Sequence, residues 1–190
     1  MKSSAITFCF LASALAANAD IKLPAIIGDN MVLQQKQANP LWGWDTPGTQ
    51  VTVTFAGQTK TAQADDKGKW TVTLDALPAN ATPATITFKG TSTAEAKNVL
   101  VGEVWLCSGQ SNMGWTVKNC WDFDLEALAS KNKNLRLISV PNVGTQELQS
   151  DFKGNWSVAG PDSVPEFSAV GYFYGSLLQQ ILDVPGGLID

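Results

Sequence analysis

Residues 99–113 read "VLVGEVWLCSGQSNM", and this stretch decides the fold class of the chain. Its first part, residues 99–107, is almost continuously apolar, which is typical of a strand that is covered on both faces in a parallel sheet. A short polar segment that contains Ser111 follows the strand. In doubly wound α/β folds, ligands bind beyond the carboxyl ends of such strands. Ser111 is therefore either a nucleophile at the tip of a strand or part of a polar turn.

The residues that follow predict alternating helices and strands. A helix is expected over residues 122–131, because acidic side chains occupy its first turns and lysines lie at its end, as the helix dipole favours. Strands are expected over residues 135–140 and from Gly186 onwards. Strand, helix, strand, helix, strand is the order of an α/β doubly wound domain, which we assign to residues 99–190.

The helix between Pro165 and Pro185 has the clearest periodicity in the chain. Its apolar residues recur at the i, i+3, i+4, i+7 spacing of one buried face. They are Val170, Phe173, Tyr174, Leu177, Leu178 and Ile181. We expect this face to pack against the sheet.

The α/β part is short for its fold. A doubly wound sheet needs about five strands, and each β-α-β step takes about 30 residues or more. Residues 99–190 supply only the first strands of such a sheet. The last of them, which starts at Gly186, is expected to be an unprotected edge. We therefore expect this α/β domain to be truncated in this chain.

Residues 20–98 predict an all-β domain. Apolar residues and threonines alternate in short segments, as in strands with one buried face. These segments are "VTVTF" (51–55), "WTVTL" (70–74) and "ATITF" (84–88). Turn-forming residues such as "DTPG" (45–48) separate them. Short strands at this spacing favour a small immunoglobulin-like β-sandwich.

Trp42, Trp44 and Trp70 fall in this β-rich part. They either fill the core of the sandwich or form a platform on which a sugar stacks. Tryptophan side chains are highly buried on average. We therefore expect these tryptophans to be structural.

Residues 1–19 predict a secretory signal peptide. Lys2 precedes the apolar run "AITFCFLASALAA" (5–17), and Ala17-Asn18-Ala19 matches the small-residue pattern of a signal-peptidase site. The apolar run is too short to span a bilayer. We expect cleavage near Ala19 and a secreted or periplasmic protein.

The composition argues against several kinds of site. With 13 basic and 17 acidic side chains, the net charge of −4 opposes binding to nucleic acid. The chain has no histidine, and Cys107 and Cys120 are its only cysteines after residue 19, which leaves too few ligands for a zinc site. A Ser-x-x-Lys pattern at Ser150 and Lys153 is isolated in a polar loop, and we assign it no catalytic role.

The motif around Ser111 resembles a known enzyme family. The segment "NVLVGEVWLCSGQSNM" (98–113) is similar to the first catalytic block of the sialate O-acetylesterase family, which belongs to the SGNH-type hydrolases. The segments "DNMVLQQ" (29–35), "PLWGWDTPGTQVTV" (40–53) and "DDKGKWTVTL" (65–74) resemble the β-sandwich of that family. The last 24 residues, "FSAVGYFYGSLLQQILDVPGGLID", resemble its second helix and third strand.

The resemblance implies that Ser111 is the catalytic nucleophile, with the backbone around Gln110 and Asn112 shaping the oxyanion site. The family often has an acidic residue where this chain has Gly114, which affects a local contact. In the family, a glycine-rich oxyanion loop, an oxyanion asparagine and the Asp and His partners of the serine come after the third strand. The positions that match in this chain include none of these.

By this resemblance, the reaction is the hydrolysis of an O-acetyl ester on sialic acid or a related acetylated sugar. The resemblance implies no metal and no organic cofactor, and neither nucleic acid nor a membrane span is expected. Two interpretations of other classes stay open. One is a secreted carbohydrate-binding β-sandwich protein, and the other is a non-catalytic remnant of the esterase.

Overall fold

The structure is a computed structural model that describes residues 20–190. The predicted signal peptide, residues 1–19, lies outside the described residues. Between residues 20 and 190, no helix combines the length and the apolar character that crossing a membrane requires.

Strands make up the first half of the described chain. They are β1 (Val32–Gln34), β2 (Asn39–Trp44), β3 (Gln50–Phe55), β4 (Gln58–Gln63), β5 (Lys69–Leu74), β6 (Asn80–Lys89) and β7 (Thr93–Leu106). The alternation that predicts strands is present in the burial as well: Val51, Val53 and Phe55 of β3 are buried, whereas Thr54 is exposed. The prediction that this part is all-β is confirmed.

Helices and strands alternate in the second half. The elements are a 3₁₀ helix (Val117–Asn119), α1 (Phe123–Ala129), β8 (Asn132–Ile138), β9 (Ser157–Ala159), α2 (Ala169–Leu182) and β10 (Gly186–Ile189). The predicted order of strand, helix, strand, helix and strand is present, with the short β9 inserted before α2. The protein is thus a mixed α/β protein in which strands predominate.

Strand β7 joins the two halves of the molecule. It belongs to an eight-stranded sheet with the order β4-β3-β6-β7-β10-β8-β9, and β1 pairs with β7 outside this path. The first part of β7 pairs antiparallel with β6, whereas residues 103–106 pair in parallel with β10. The predicted domain boundary between residues 98 and 99 therefore falls inside a continuous strand.

Strands β2 and β5 form a second, two-stranded sheet that packs on the antiparallel part of the large sheet. Side chains of both sheets share one core, in which Trp70 is 1% exposed and its ring centroid lies 5.9 Å from that of Phe88. The expected core position is thus right for Trp70, but Trp42 and Trp44 are only partly buried. The assignment of these layers to an immunoglobulin-like sandwich stays a prediction.

The position of β10 differs from the expectation. The sequence predicts an exposed edge, but β10 lies between β7 and β8 and pairs in parallel with both, so this prediction is wrong. The two glycines of β10 fit this narrow place, since a Cβ on Gly187 would lie 2.9 Å from Val32 and one on Gly186 would lie 3.0 Å from Leu135. The crossover through α2 returns the chain to the middle of the sheet, and β9 takes the outer position beside β8.

Helix α2 is also turned relative to the expectation. Of the apolar stripe that predicts its buried face, Val170, Phe173, Tyr174, Leu177 and Ile181 are between 43% and 67% exposed, so the predicted packing is wrong. The buried residues of α2 are Ala169, Gly171, Tyr172 and Gly175. Three of these are small, and small residues let the helix approach β10 closely. The periodicity thus identifies the helix correctly but not the face that is covered.

Candidate active site

Ser111 lies in the turn that follows β7. Strands β7, β10 and β8 run parallel, so their carboxyl ends meet at one edge of the sheet. Residues 108–114 follow β7, Ser139 and Val140 follow β8, and Asp190 follows β10. Ser111 therefore lies at the edge where ligands bind in sheets of this kind.

These segments enclose an open cavity of about 700 Å³. The wall of this cavity is formed by residues of the turn 108–114, which we call the serine turn, of the loop after β8 and of the segment before α2. Asp190 completes the wall. Ser111 and Gln110 line the cavity, whereas Asn112 lies in the same turn but not in the cavity wall. The Ser111 side chain is exposed, which a nucleophile needs in order to reach a substrate.

The serine turn is closed by its own backbone. The Gln110 carbonyl accepts hydrogen bonds from the N–H groups of Met113 at 2.9 Å and Gly114 at 3.2 Å. The N–H groups of Ser111 and Asn112 take no part in these bonds, and neither has a hydrogen-bond partner among residues 20–190. Adjacent free N–H groups beside a serine are donors of the type that stabilises an oxyanion.

The N-terminus of α2 holds the serine turn in place. Ser168 caps the helix by accepting a hydrogen bond from the Gly171 N–H at 3.2 Å, and its hydroxyl lies 3.2 Å from the Met113 sulfur. The Ala169 N–H donates to the Trp115 carbonyl at 2.8 Å. The turn is thus tied to the rigid end of a helix and not left as a free loop.

Asp190 connects the same helix end to the sheet. Its Oδ2 accepts a hydrogen bond from the Ser168 N–H at 2.9 Å, while its Oδ1 is buried and has no hydrogen-bond partner in the described part of the chain. Burial, and then the charge of Asp190, raise the pKa of the Cys107 thiol. Cys107 is therefore buried and protonated at neutral pH, which makes its thiol a poor nucleophile.

Sequence reasoning missed the supporting role of Ser168 and Asp190. The capping pattern before α2 was the available signal for Ser168, because serine is a preferred N-cap residue. For Asp190, the signal was its place directly after a buried strand. Neither position indicates by itself that the two residues meet at the serine turn.

The chain offers no histidine to accept the proton of Ser111. Of the carboxylates in the cavity wall, that of Glu166 is paired with the Lys118 ammonium at 2.6 Å. Lys153 of the Ser-x-x-Lys pattern lines a different cavity. Residues 20–190 also contain no group of three or more Cys, Asp or Glu side chains that is arranged to hold a metal ion.

The chain is similar to known acetylesterases over most of its length. It is 30% identical to sialate O-acetylesterase from Mus musculus in an alignment of 199 positions, which covers 92% of this chain and 36% of the mouse protein. It is also 30% identical to the sialate O-acetylesterase from Homo sapiens, over 92% of this chain and 37% of the human protein. No protein-family model matches the chain.

A solved structure agrees with these relatives. The crystal structure of a carbohydrate acetylesterase from Xanthomonas citri superimposes with a TM-score of 0.85 at 35% sequence identity, over 89% of this chain and 39% of that chain. This chain thus spans little more than a third of the length of the proteins that it matches. The resemblance that the motifs indicate is confirmed: over 92% of its own length, this chain is homologous to sialate O-acetylesterases, and it matches only part of their length.

Proposed function

We propose that this chain is the serine-bearing part of an esterase that removes O-acetyl groups from sugars. The observation that carries the proposal is the place of Ser111, which is exposed at the carboxyl end of a parallel strand and lines a cavity of about 700 Å³. The names of the relatives, sialate O-acetylesterase and carbohydrate acetylesterase, support an acetylated sugar as the substrate class.

In the proposed reaction, the Ser111 Oγ attacks the acetyl carbonyl carbon. The N–H groups of Ser111 and Asn112 stabilise the oxyanion of the tetrahedral intermediate, and the sugar hydroxyl leaves with a proton. Water then attacks the acetyl-serine and releases acetate, which restores the hydroxyl. A base has to take the serine proton in the first step, and since this sequence has no histidine, an imidazole would have to come from another polypeptide segment.

A chimera tests the role of Ser111. In this chimera, the part of the Xanthomonas citri acetylesterase that has no counterpart in this chain follows Asp190. We expect it to hydrolyse an O-acetylated sugar, and we expect Ser111→Ala to lower kcat by roughly a thousandfold or more, as losses of a nucleophile do. The release of acetate measures both rates.

Two controls make this experiment decisive. Ser108→Ala alters the other serine of the motif and should reduce the rate far less than Ser111→Ala. Residues 20–190 alone should hydrolyse p-nitrophenyl acetate no faster than their Ser111→Ala variant, because a serine hydroxyl without a base is a poor nucleophile. A folded chimera whose activity does not depend on Ser111 would refute the assignment of the nucleophile.

A further inference from the structure

Two more cavities adjoin the Ser111 cavity along the loop of residues 140–153. One has a volume of about 610 Å³, and the other, of about 340 Å³, borders on the N-terminal all-β part. Val140 lines all of these cavities, and Phe152 lines the two that lie further from Ser111. Because neighbouring cavities share wall residues, they lie side by side and lead from Ser111 towards strand β2.

The cavity of about 340 Å³, which we call the aromatic cleft, lies between Trp42 of β2 and Phe152 of the loop. In β2, Leu41 and Gly43 are buried in the core, and the alternation of a strand turns Trp42 to the other face. Trp42 and Phe152 are partly buried and pack on the edge of the core. This packing fixes both rings while it leaves part of each in the wall of the cleft.

Asp151 places polar atoms next to these rings. Its Oδ1 accepts hydrogen bonds from the backbone N–H groups of Ala25 and Phe152, both at 2.8 Å, which fastens the loop to the N-terminal part of the chain. These bonds do not use Oδ2, and Gln149 adds an amide to the same cavity wall. The aromatic cleft therefore combines fixed aromatic faces with hydrogen-bond acceptors, as pockets for amphipathic ligands do.

We propose that the aromatic cleft binds a second sugar ring, so that the site takes an acetylated oligosaccharide and not only a single acetylated sugar. A pyranose ring has an apolar C–H face that packs on an aromatic ring, and it carries hydroxyl groups at its edge that donate to a carboxylate. With the acetylated ring in the Ser111 cavity, the next ring of the chain extends past Val140 into the cleft. This inference rests on the proposed function, because it assumes that the acetylated ring binds beside Ser111.

Binding without turnover tests the proposal. The chain carrying Ser111→Ala is titrated calorimetrically with two matched pairs of ligands: O-acetylated sialyllactose against O-acetylated sialic acid, and O-acetylated xylotriose against O-acetylated xylose. In at least one pair we expect the oligosaccharide to bind about tenfold more tightly than the single sugar, since it adds an aromatic contact. Trp42→Ala and Phe152→Ala should each remove most of this difference.

Trp44→Ala is the matched control. Trp44 lies two residues from Trp42 on the same face of β2 and is also partly buried, but its ring contacts Lys22 and does not line the cleft. This variant should keep the tighter binding of the oligosaccharide, with the Tm of every variant measured in parallel. Equal affinities within both pairs, no binding at 10 mM of any ligand, or an equal loss in Trp44→Ala would overturn the proposal. Since no hydrolysis is measured, an inactive chimera would contradict the proposed function and leave this result standing.

Discussion

Gly175 lies on the face of α2 that rests on β10, directly over the side chain of Leu188. Leu188 is fully buried and lies in a strand that is paired on both sides. A Cβ on Gly175 would collide with the branched end of Leu188, so this buried side chain would have to shift. The close approach of helix and sheet beneath the serine turn thus depends on the absence of one methyl group.

We expect Gly175→Ala to destabilise the protein, although alanine favours a helix over glycine by about 1 kcal/mol. Overpacking a close-packed core costs about 1–3 kcal/mol, which exceeds this gain. Urea denaturation should therefore show a lower midpoint for Gly175→Ala. Leu177→Ala, which alters a side chain of the same helix that is 58% exposed, should change the midpoint little. An unchanged or higher midpoint for Gly175→Ala would mean that Leu188 repacks freely.

At this scale, sequence reasoning succeeds where the signal is local. An apolar strand that ends in a polar turn places Ser111 at a strand tip, and both parts of that signal lie within a few residues. The contact of Ser168 with Asp190 joins residues 22 positions apart and depends on where β10 pairs. Nothing within either segment specifies that contact.

Helices α1 and α2 meet through one polar contact. The Tyr172 hydroxyl of α2 donates a hydrogen bond to Oε1 of Glu126 on α1 at 3.0 Å, although Tyr172 is only 3% exposed. Burial, followed by the hydrogen bond and the charge of Glu126, raises the pKa of Tyr172 from its ordinary value of 10 to about 12. The neutral phenol is therefore favoured in the folded state.

This raised pKa predicts a pH dependence. The stability that the neutral Tyr172 contributes should be fully present below pH 10 and be lost as the pH rises through about 12. Because the chain has two tyrosines, Tyr174→Phe leaves Tyr172 as the only phenol, and its absorbance at 295 nm should titrate near pH 12 in the folded protein.

Denatured protein and Glu126→Gln are the controls for this titration. In guanidinium chloride the same phenol should titrate near its ordinary value of 10. Glu126→Gln should lower the midpoint in the folded protein only in part, since burial is the larger cause of the shift. A folded-state midpoint near 10 would show that Tyr172 is open to solvent.

The sequence predicts the helices and strands themselves better than it predicts which elements pack beside them. The alternation in residues 51–55 and the periodicity of α2 each report a local geometry, and both elements are present. The covered face of α2 and the central place of β10 depend on other criteria, namely how closely small residues allow helix and strand to approach. Gly175, Gly186 and Gly187 carry that information, but a glycine in a sequence is compatible with a turn as well as with close packing.

At the scale of the whole molecule, the two predicted domains share a strand, core residues and hydrogen bonds. Strand β7 pairs with β6 through Val99 and Val101, and with β1 through residues 100–102. The core of the N-terminal part also contains Ile138 and Trp156 from the second half of the chain. In addition, the buried guanidinium of Arg136 donates hydrogen bonds to the side-chain oxygens of Asn30 at 3.2 Å and Asn98 at 3.3 Å.

This sharing predicts that residues 20–98 do not fold by themselves. Cutting the chain at residue 98 removes the strand residues that pair with β1 and part of β6, and it exposes core that Ile138 and Trp156 otherwise cover. A domain of this size has a small core and tolerates little such loss. Residues 20–98 should therefore lack near-ultraviolet circular dichroism and a sigmoidal urea transition. Residues 20–190, in contrast, should unfold in one transition with equal calorimetric and van't Hoff enthalpies.

Residues 20–106, which restore β7, separate the effect of the missing strand from that of the missing core and should regain part of the circular dichroism signal. Cooperative unfolding of residues 20–98 would instead establish the N-terminal part as an independent domain, with the second half of β7 added to a structure that is already complete.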